Sequence, residues 1–295
     1  MVRARKLEKR QKAIRNIQKI TRTMELIATA RFKKAWDRVQ ATMAYSEGLF
    51  RIIQDLAKLG LCRSQPLWEP KPNPKRVFLL VLGSNRGLCG GYNAGIVRQT
   101  MDRLGELQAQ DRQPVVEVSG KRVGSALRFR HVPIQALHTH LADRPKWQEV
   151  ELLAQQYLEQ FQKGHWDCLE VLYTSSETVA RHRIKTDLLL PIPKPEASTS
   201  EVFPPDPRGL DLYPSAEDIL STLLPRFFKV RLFLCFLQAA LSEQIARMFA
   251  MKTATENTEK MLHRLALAHH RARQTQITSE ILELLSGAEA LQPHK

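Results

Sequence analysis

The chain has 295 residues, which is enough for one large domain or two ordinary domains with a substantial core. Its formal charge of +15 at pH 7 and its pI near 9.9 indicate an anionic partner: a nucleic acid, a lipid surface or an acidic protein surface. The four cysteines are scattered and form no C-x-x-C pair, which argues against a disulfide framework or a zinc site. No apolar run is long enough for a transmembrane helix.

The first predicted element is a helix from Arg3 to Leu59, a stretch with no proline and a single glycine. Residues 3–38 contain thirteen basic and three acidic side chains, which suggests a helix that meets an acidic surface. The Arg-rich start has the composition of a mitochondrial presequence, but it lacks serine and continues into the helical pattern, so we interpret it as mature structure. Apolar residues at helical spacing form the predicted contact seam of this helix: Leu7, Ile14, Ile17, Ile20, Met24 and Ile27, followed by Ala28, Ala30 and Ala35.

The middle of the chain alternates strand and helix patterns after a linker, residues 62–75, that contains four prolines. This alternation predicts a mostly parallel sheet flanked by helices, in a Rossmann-like α/β domain inserted between the terminal helices. The predicted strands are residues 76–83, 113–120, 168–176 and 178–191, and the predicted helices are residues 94–110, 121–130 and 147–162.

The C-terminal part begins after a proline-rich loop, residues 192–214. Ser215 and Asp218 form a capping-box pattern that starts a short helix, which Pro225 is expected to end or kink. Residues 226–286 then predict a helix of about 90 Å, whose charges rule out a membrane span. Its predicted seam consists of Leu241, Ile245, Met248, Ile277, Ile281, Leu284, Ala288 and Leu291.

Two seams at opposite ends of one chain predict an antiparallel coiled coil, because the intervening domain leaves and returns at one end. The predicted organisation is a coiled-coil helix over residues 1–60, an α/β domain over residues 75–191, a loop over residues 192–214 and a second coiled-coil helix over residues 215–295.

The glycine cluster Gly83, Gly87, Gly90 and Gly91 lies between a strand and a helix, where phosphate-binding loops occur. It matches neither the Walker pattern nor G-x-G-x-x-G, so a tight turn that presents Arg86 and Cys89 to a neighbour is favoured over nucleotide binding. No histidine lies within forty residues of Cys89 to act as a base. The pairs His138/His140 and His269/His270 are interpreted as surface residues rather than metal ligands. The sequence therefore predicts no catalytic, cofactor or metal site.

Three segments carry a resemblance to a known family: ITRTMELIATARFKKA near the start, NRGLCGGYN in the middle and SEQIARMFAMKTATENTEKMLHRLALAHHRARQTQITSEILELLSGAEAL at the end. Together they resemble the gamma subunits of F-type ATP synthases over essentially the whole chain. The C-terminal segment is highly specific, the middle one moderately so, and the first alone would be weak.

The resemblance implies a rotor shaft, a non-catalytic subunit that couples proton or sodium flow through a membrane rotor ring to conformational cycling of catalytic beta subunits. The coiled coil would stand inside a ring of alpha and beta subunits, and the α/β domain would form a foot on the rotor ring beside the epsilon subunit. No cofactor, small-molecule substrate or nucleic acid is implied. The expected location is peripheral, on the cytoplasmic face of a bacterial-type inner membrane.

By the same resemblance, eight residues are expected to contact the beta subunits: Met24, Arg86, Cys89, Glu243, Arg247, Arg273, Gln274 and Thr278. This chain departs from the family pattern at Asn85, Ile17 and Thr253, where the family usually has aspartate, threonine and asparagine. Two alternatives stay open at this point: a basic coiled coil that binds nucleic acid, and a nucleotide-dependent enzyme built on residues 87–91.

Overall fold

The computed structural model describes residues 2–58, 65–69, 71, 73–176, 178, 181–194 and 215–290. Cys62 and most of the predicted proline-rich loop lie outside these residues. The elements are α1 (Val2–Lys58), β1 (Arg76–Leu82), α2 (Tyr92–Ala109), β2 (Gln113–Ser119), α3 (Lys121–Phe129), β3 (Ala136–His138), α4 (Trp147–Gln162), β4 (Cys168–Ser176), β5 (His182–Leu190) and α5 (Ala216–Ala290).

The chain forms two compact units, to which α1 and α5 both contribute. The helical unit comprises Met1–Ala28 and Arg247–Lys295, and the α/β unit comprises Thr29–Ala246. This division cuts through both long helices, whereas the boundaries drawn from the sequence follow the helix ends; those boundaries stay a prediction. None of the helices in the described ranges is long and apolar enough to cross a membrane.

The α/β unit contains one five-stranded sheet in the order β3-β2-β1-β4-β5. All neighbouring strands are parallel except β4 and β5, which pair antiparallel, so the prediction of a mostly parallel sheet is confirmed. Every residue of β4 is buried, as expected for a strand covered on both faces. The sequence prediction missed β3, because three residues are too few to show a strand period.

The side chains of β1 alternate between two layers of core. Phe78 and its same-face neighbours pack with α4, α5 and the end of α1, and the Phe78 ring lies 4.9 Å from that of Tyr157 and 5.3 Å from that of Trp166. Leu79 and Val81 point to the other face, where α2 and α3 cover them.

The start of α5 confirms one prediction and corrects another. The Ser215 hydroxyl accepts the backbone N–H of Asp218 at 3.1 Å and donates to its carboxylate at 2.6 Å, as the capping-box pattern indicated. Of the two effects expected of Pro225, ending the helix is wrong, since α5 runs through it to Ala290, and a kink stays a prediction. Core packing on both sides of the proline, by Leu224 and Phe228 among others, offsets the one backbone hydrogen bond that proline removes.

The helical unit is an antiparallel helix pair, as predicted. The Gln18 amide donates to the Glu259 carboxylate at 3.2 Å, and the Thr21 and Thr255 hydroxyl oxygens lie 2.9 Å apart, so residue numbers rise along α1 as they fall along α5. The buried and half-buried positions follow the alternating three-and-four spacing of a coiled coil. On α1 they are Leu7, Gln11, Ile14, Gln18, Thr21, Glu25 and Ala28, and on α5 they include Met251, Thr255, Thr258, Leu262, Leu265, His269, Ala272 and Gln276.

The predicted seam of α1 is correct at Leu7, Ile14 and Ala28 but wrong by one residue in its middle part. Ile17, Ile20, Met24 and Ile27 are 46, 56, 37 and 42% exposed, and we call these four residues the outward stripe. One residue corresponds to a rotation of about 100° around a helix, so choosing the apolar pattern turned the predicted face away from the partner helix. The second half of the predicted α5 seam is wrong too, since Ile277, Ile281 and Leu284 are exposed. Leu291 and the side chain of Ala288 lie outside the described part.

His138 is not a surface histidine, contrary to the interpretation above. Its Nε2 lies 2.8 Å from a Glu117 carboxylate oxygen, which also accepts the Tyr157 hydroxyl at 2.7 Å. Burial raises the pKa of Tyr157 well above its ordinary value, and the neighbouring Glu117 charge adds to the effect. This buried network ties β2, β3 and α4 together.

Candidate partner-binding surfaces

The turn between β1 and α2, residues 83–91, is braced by side chains at its base. The Ser84 backbone N–H donates to the Asn93 side-chain oxygen at 3.2 Å, and the Ser84 hydroxyl donates to the Arg86 carbonyl at 2.7 Å. The Asn93 amide also donates to the Cys89 sulfur at 3.2 Å. These bonds fix the turn without any ligand.

Two glycines near this turn are explained by close packing. Gly120 has a φ of +114°, and a Cβ there would lie 2.5 Å from the carbonyl carbon of Gly83. A Cβ on Gly83 would in turn collide with the Val123 side chain. The glycines thus let α3 and the end of β1 approach closely, which is the role favoured from the sequence.

The turn exposes Arg86 and Leu88. The Arg86 side chain is 69% exposed, and its Nε lies 3.4 Å from the Asp143 carboxylate. Leu88 is 60% exposed with a φ of +64°, a contact candidate that the sequence analysis missed although it lies between Gly87 and Gly90. Cys89 packs inward at 3% exposure, so the expectation that the turn presents it on the surface is wrong.

The helical unit carries four other expected contact residues in accessible positions. Met24 belongs to the outward stripe, and Arg273, Gln274 and Thr278 are exposed on α5. Arg247, in the same unit, is only 8% exposed, and Glu243, in the α/β unit, is 2% exposed, so neither side chain has a free surface in this structure. Their contacts with a partner stay a prediction.

A basic cavity of about 230 Å³ opens on the α/β unit, where α1, the segment 143–145 and α5 meet. Its lining includes Arg31, Lys34, Arg38 and Arg144, and the Arg38 guanidinium donates to the Pro145 carbonyl at 3.0 Å. The Gln244 side-chain oxygen, on the same wall, is buried and has no hydrogen-bond partner among the described residues. The sequence indicated the basic run on α1, but it did not indicate that Arg144, more than a hundred positions away, lies beside that run.

Two of the described cysteine thiols have strongly raised pKa values. Burial raises the pKa of the Cys168 thiol to about 11 and that of Cys235 to about 12, so both thiols are protonated at neutral pH and are poor nucleophiles. Within the described ranges, no three His, Cys, Asp or Glu side chains are close enough to hold a metal ion.

A mostly parallel α/β unit and a unit of two long antiparallel helices, each with exposed apolar or basic surfaces, are typical of a structural, stalk-type subunit. The comparisons agree with this class. The family described as ATP synthase matches residues 3–291. The ATP synthase gamma chain of Rhodopirellula baltica is 44% identical over 295 residues, covering 99% of this chain and all of the relative, and that of Leptospira biflexa is 32% identical over 292 residues with the same coverage.

Solved structures share the fold. A chain of the mitochondrial ATP synthase of Euglena gracilis, solved with OSCP, F1 and c-ring, has a TM-score of 0.67 at 15% identity and covers 98% of this chain and 94% of its own length. A chain from the central stalk and c-ring of the Tetrahymena thermophila mitochondrial enzyme has a TM-score of 0.58 at 19% identity and covers 80% of this chain and 99% of its own length.

The chain belongs to the family of ATP synthase gamma chains. It is a central-stalk rotor subunit and is not catalytic, because the catalytic sites of these complexes lie on the beta subunits. The alternative of a nucleic-acid-binding coiled coil finds no support in these comparisons.

Proposed function

We propose that this subunit is the shaft that couples proton or sodium flow through a membrane rotor ring to the cycling of three beta subunits. Its helical unit turns inside a ring of alpha and beta subunits, and its α/β unit stands on the rotor ring beside an epsilon subunit. The complex works at the cytoplasmic face of a bacterial-type inner membrane.

The outward stripe is the observation that carries this proposal. A helix pair that leaves Ile17, Ile20, Met24 and Ile27 exposed gains stability when another protein covers them. The aliphatic residues of α5 from Ile277 onward are exposed as well, so a partner can also cover the end of the shaft.

The basic cavity suits an acidic loop of the beta subunit. Arg31, Lys34 and Arg144 supply positive charge to a lining that also contains Asp143. Charges at the rim of an interface mainly raise the rate of association and fix its orientation.

Rotation acts through differences between the sides of the shaft. A beta subunit that faces the outward stripe meets a different surface from one that faces Arg273, Gln274 and Thr278. A differential contact energy of about 3 kcal/mol per orientation changes the ratio of two conformations more than a hundredfold. Each beta subunit is thereby driven through binding, synthesis and release in turn. Arg86 on the exposed turn is a further contact position, and Glu243 and Arg247, which are buried in the chain alone, complete the proposed set.

Co-purification tests the assignment. A tagged chain expressed in its own host should bring down alpha, beta, epsilon and ring subunits, with one copy of this chain per complex. Lys34→Glu should slow association with the alpha–beta head and weaken the dependence of that rate on salt. Lys163→Glu, on the exposed end of α4, is the matched control and should change neither. A monomeric chain that brings down no partner would contradict the proposal.

A further inference from the structure

The helical unit buries few apolar side chains. Ala28, Met251 and Leu265 are its only buried apolar residues among those described. None of the three hydrophobic clusters found in the described part of the chain contains a residue of this unit. The α/β unit, in contrast, holds all three clusters.

Polar side chains and hydrogen bonds share the seam between the two helices with half-buried apolar residues such as Leu7, Ile14 and Leu262. The Thr21 and Thr255 hydroxyl oxygens lie 2.9 Å apart, and both residues are buried. Each hydroxyl also reaches a carbonyl of its own helix, that of Gln18 at 3.0 Å and that of Met251 at 2.9 Å. In water such bonds replace bonds to solvent, so they add little net stability to the pair.

Most of the large apolar side chains of this unit point away from the seam. Thirteen of the twenty exposed large apolar residues of the described chain belong to it. Eight of the thirteen lie on α5: Phe249, Met261, Leu267, Ile277, Ile281, Leu282, Leu284 and Leu285. The unit therefore has the composition of a coiled coil but places most of its large apolar residues outside.

We propose that the helix pair of the helical unit becomes stably ordered only when an apolar partner surface covers it, so that its folding is coupled to assembly. Ordering two long helices loses backbone entropy at every residue, and three buried apolar side chains do not offset that loss. The missing burial comes from the partner, which rests on the proposed function: the alpha and beta subunits around the shaft. The α/β unit folds without them, because its apolar residues are already buried.

Hydrogen exchange of the full chain, alone and in the assembled complex, tests the proposal. In the chain alone, amides of residues 6–28 and 251–276 should exchange at least about tenfold faster than those of β1, because their opening costs less free energy. In the complex with alpha and beta subunits, the same amides should slow by at least about tenfold.

Two matched double variants isolate the polar seam. Thr21→Leu with Thr255→Leu makes the buried layer apolar and should slow exchange of the pair in the chain alone by about tenfold. Thr23→Leu with Thr253→Leu makes the same chemical change at exposed positions of the same helices and should have a much smaller effect. The comparison removes the contribution of helix propensity, which is the same for both pairs.

Two outcomes would overturn the proposal: a helix pair as protected as β1 in the chain alone, or equal protection by the two double variants. If exchange is fast in the chain alone and stays fast in the complex, the partner does not cover the stripe, and the proposed function fails with it. Protection in the chain alone together with normal co-purification would leave the shaft function standing and reject only the coupling of folding to assembly.

Discussion

The same substitution at two isoleucines of α1 should have opposite consequences. Ile53 is fully buried in the main core of the α/β unit, and Ile20 is 56% exposed on the outward stripe. Ile53→Ala removes buried methyl groups and leaves a cavity, so we expect a loss of about 2–5 kcal/mol in the free energy of unfolding. Ile20→Ala removes little buried area, and alanine is the better helix former, so we expect a change within about 0.5 kcal/mol.

In binding to the alpha–beta head, Ile20→Ala should have the larger effect and Ile53→Ala the smaller one. Complete burial of an isoleucine is worth about 1.5–3 kcal/mol, and a little over half of Ile20 remains for a partner to cover. Ile20→Ala should therefore weaken binding to the alpha–beta head by about 1 kcal/mol, or about fivefold in the dissociation constant. Ile53→Ala should leave the affinity of the folded fraction unchanged.

Urea denaturation and a binding titration measure the two effects separately. All four tryptophans lie in the α/β unit, so their fluorescence follows the unfolding of the unit that contains Ile53. Far-ultraviolet circular dichroism reports on all helices, so it also follows the unfolding of the helical unit. If Ile20→Ala lowers the unfolding midpoint as much as Ile53→Ala does, or leaves the affinity for the head unchanged, the outward stripe is not a partner surface.

Three other predictions follow from the structure. Truncation from Ile277 onward removes exposed side chains, so coupling of ATP hydrolysis to ion pumping should fall while the tryptophan-monitored unfolding of the α/β unit stays the same; intact coupling would contradict the shaft assignment. Arg103 donates to both oxygens of the buried Glu170 carboxylate at 2.8 and 2.6 Å, so Arg103→Met should cost about 3–5 kcal/mol in urea denaturation, and adding Glu170→Leu should recover most of it. Burial alone would raise the pKa of Asp167, but two backbone N–H donors and the Lys71 ammonium at 2.7 Å lower it below its ordinary value. The resulting stabilisation is present above the unfolded pKa of about 4 and is lost as pH falls through the lower folded pKa, so Asp167→Asn should remove this contribution to the acid dependence of the unfolding midpoint.

The elements of the α/β unit were predictable because each carries its own local pattern. Residues 147–162 and 168–176 match α4 and β4 at both ends, since a helical period marks the first and a short segment rich in strand-forming residues marks the second. The continuation of α5 through Pro225 was not predictable from local rules, because packing of distant residues against both sides of the proline decides it.

The contact face of α1 could not be chosen from hydrophobicity. Positions 17, 20, 24 and 27 and positions 18, 21, 25 and 28 follow the same three-and-four spacing, one residue apart, and only the first set is consistently apolar. A helix pair stabilised by its own apolar contacts would bury that set. The structure buries the second, in which Ala28 is fully covered and Thr21 is bonded to Thr255.

The contact turn was predicted in part. The glycines of residues 83–91 indicated a close backbone approach, which Gly83 and Gly120 make. They did not indicate which side chain faces outward, because the direction of Leu88 and Cys89 depends on the positive φ of Leu88. The sequence also does not indicate that the basic residues at positions 31 and 144 lie close together in the fold.

A reversed seam has a consequence for how the subunit transmits force. A pair of helices held together by an apolar core would be ordered without a partner, and a partner would bind a surface that is already formed. Here most of the large apolar residues face outward, so the surface that the partner contacts also offers most of the further burial that the pair has available. Residues that stabilise the shaft and residues that contact the catalytic subunits are then the same residues. Substitutions on the outward stripe should therefore weaken assembly and coupling together, whereas conservative changes in the polar seam should affect the order of the isolated pair and leave the gripped surface intact.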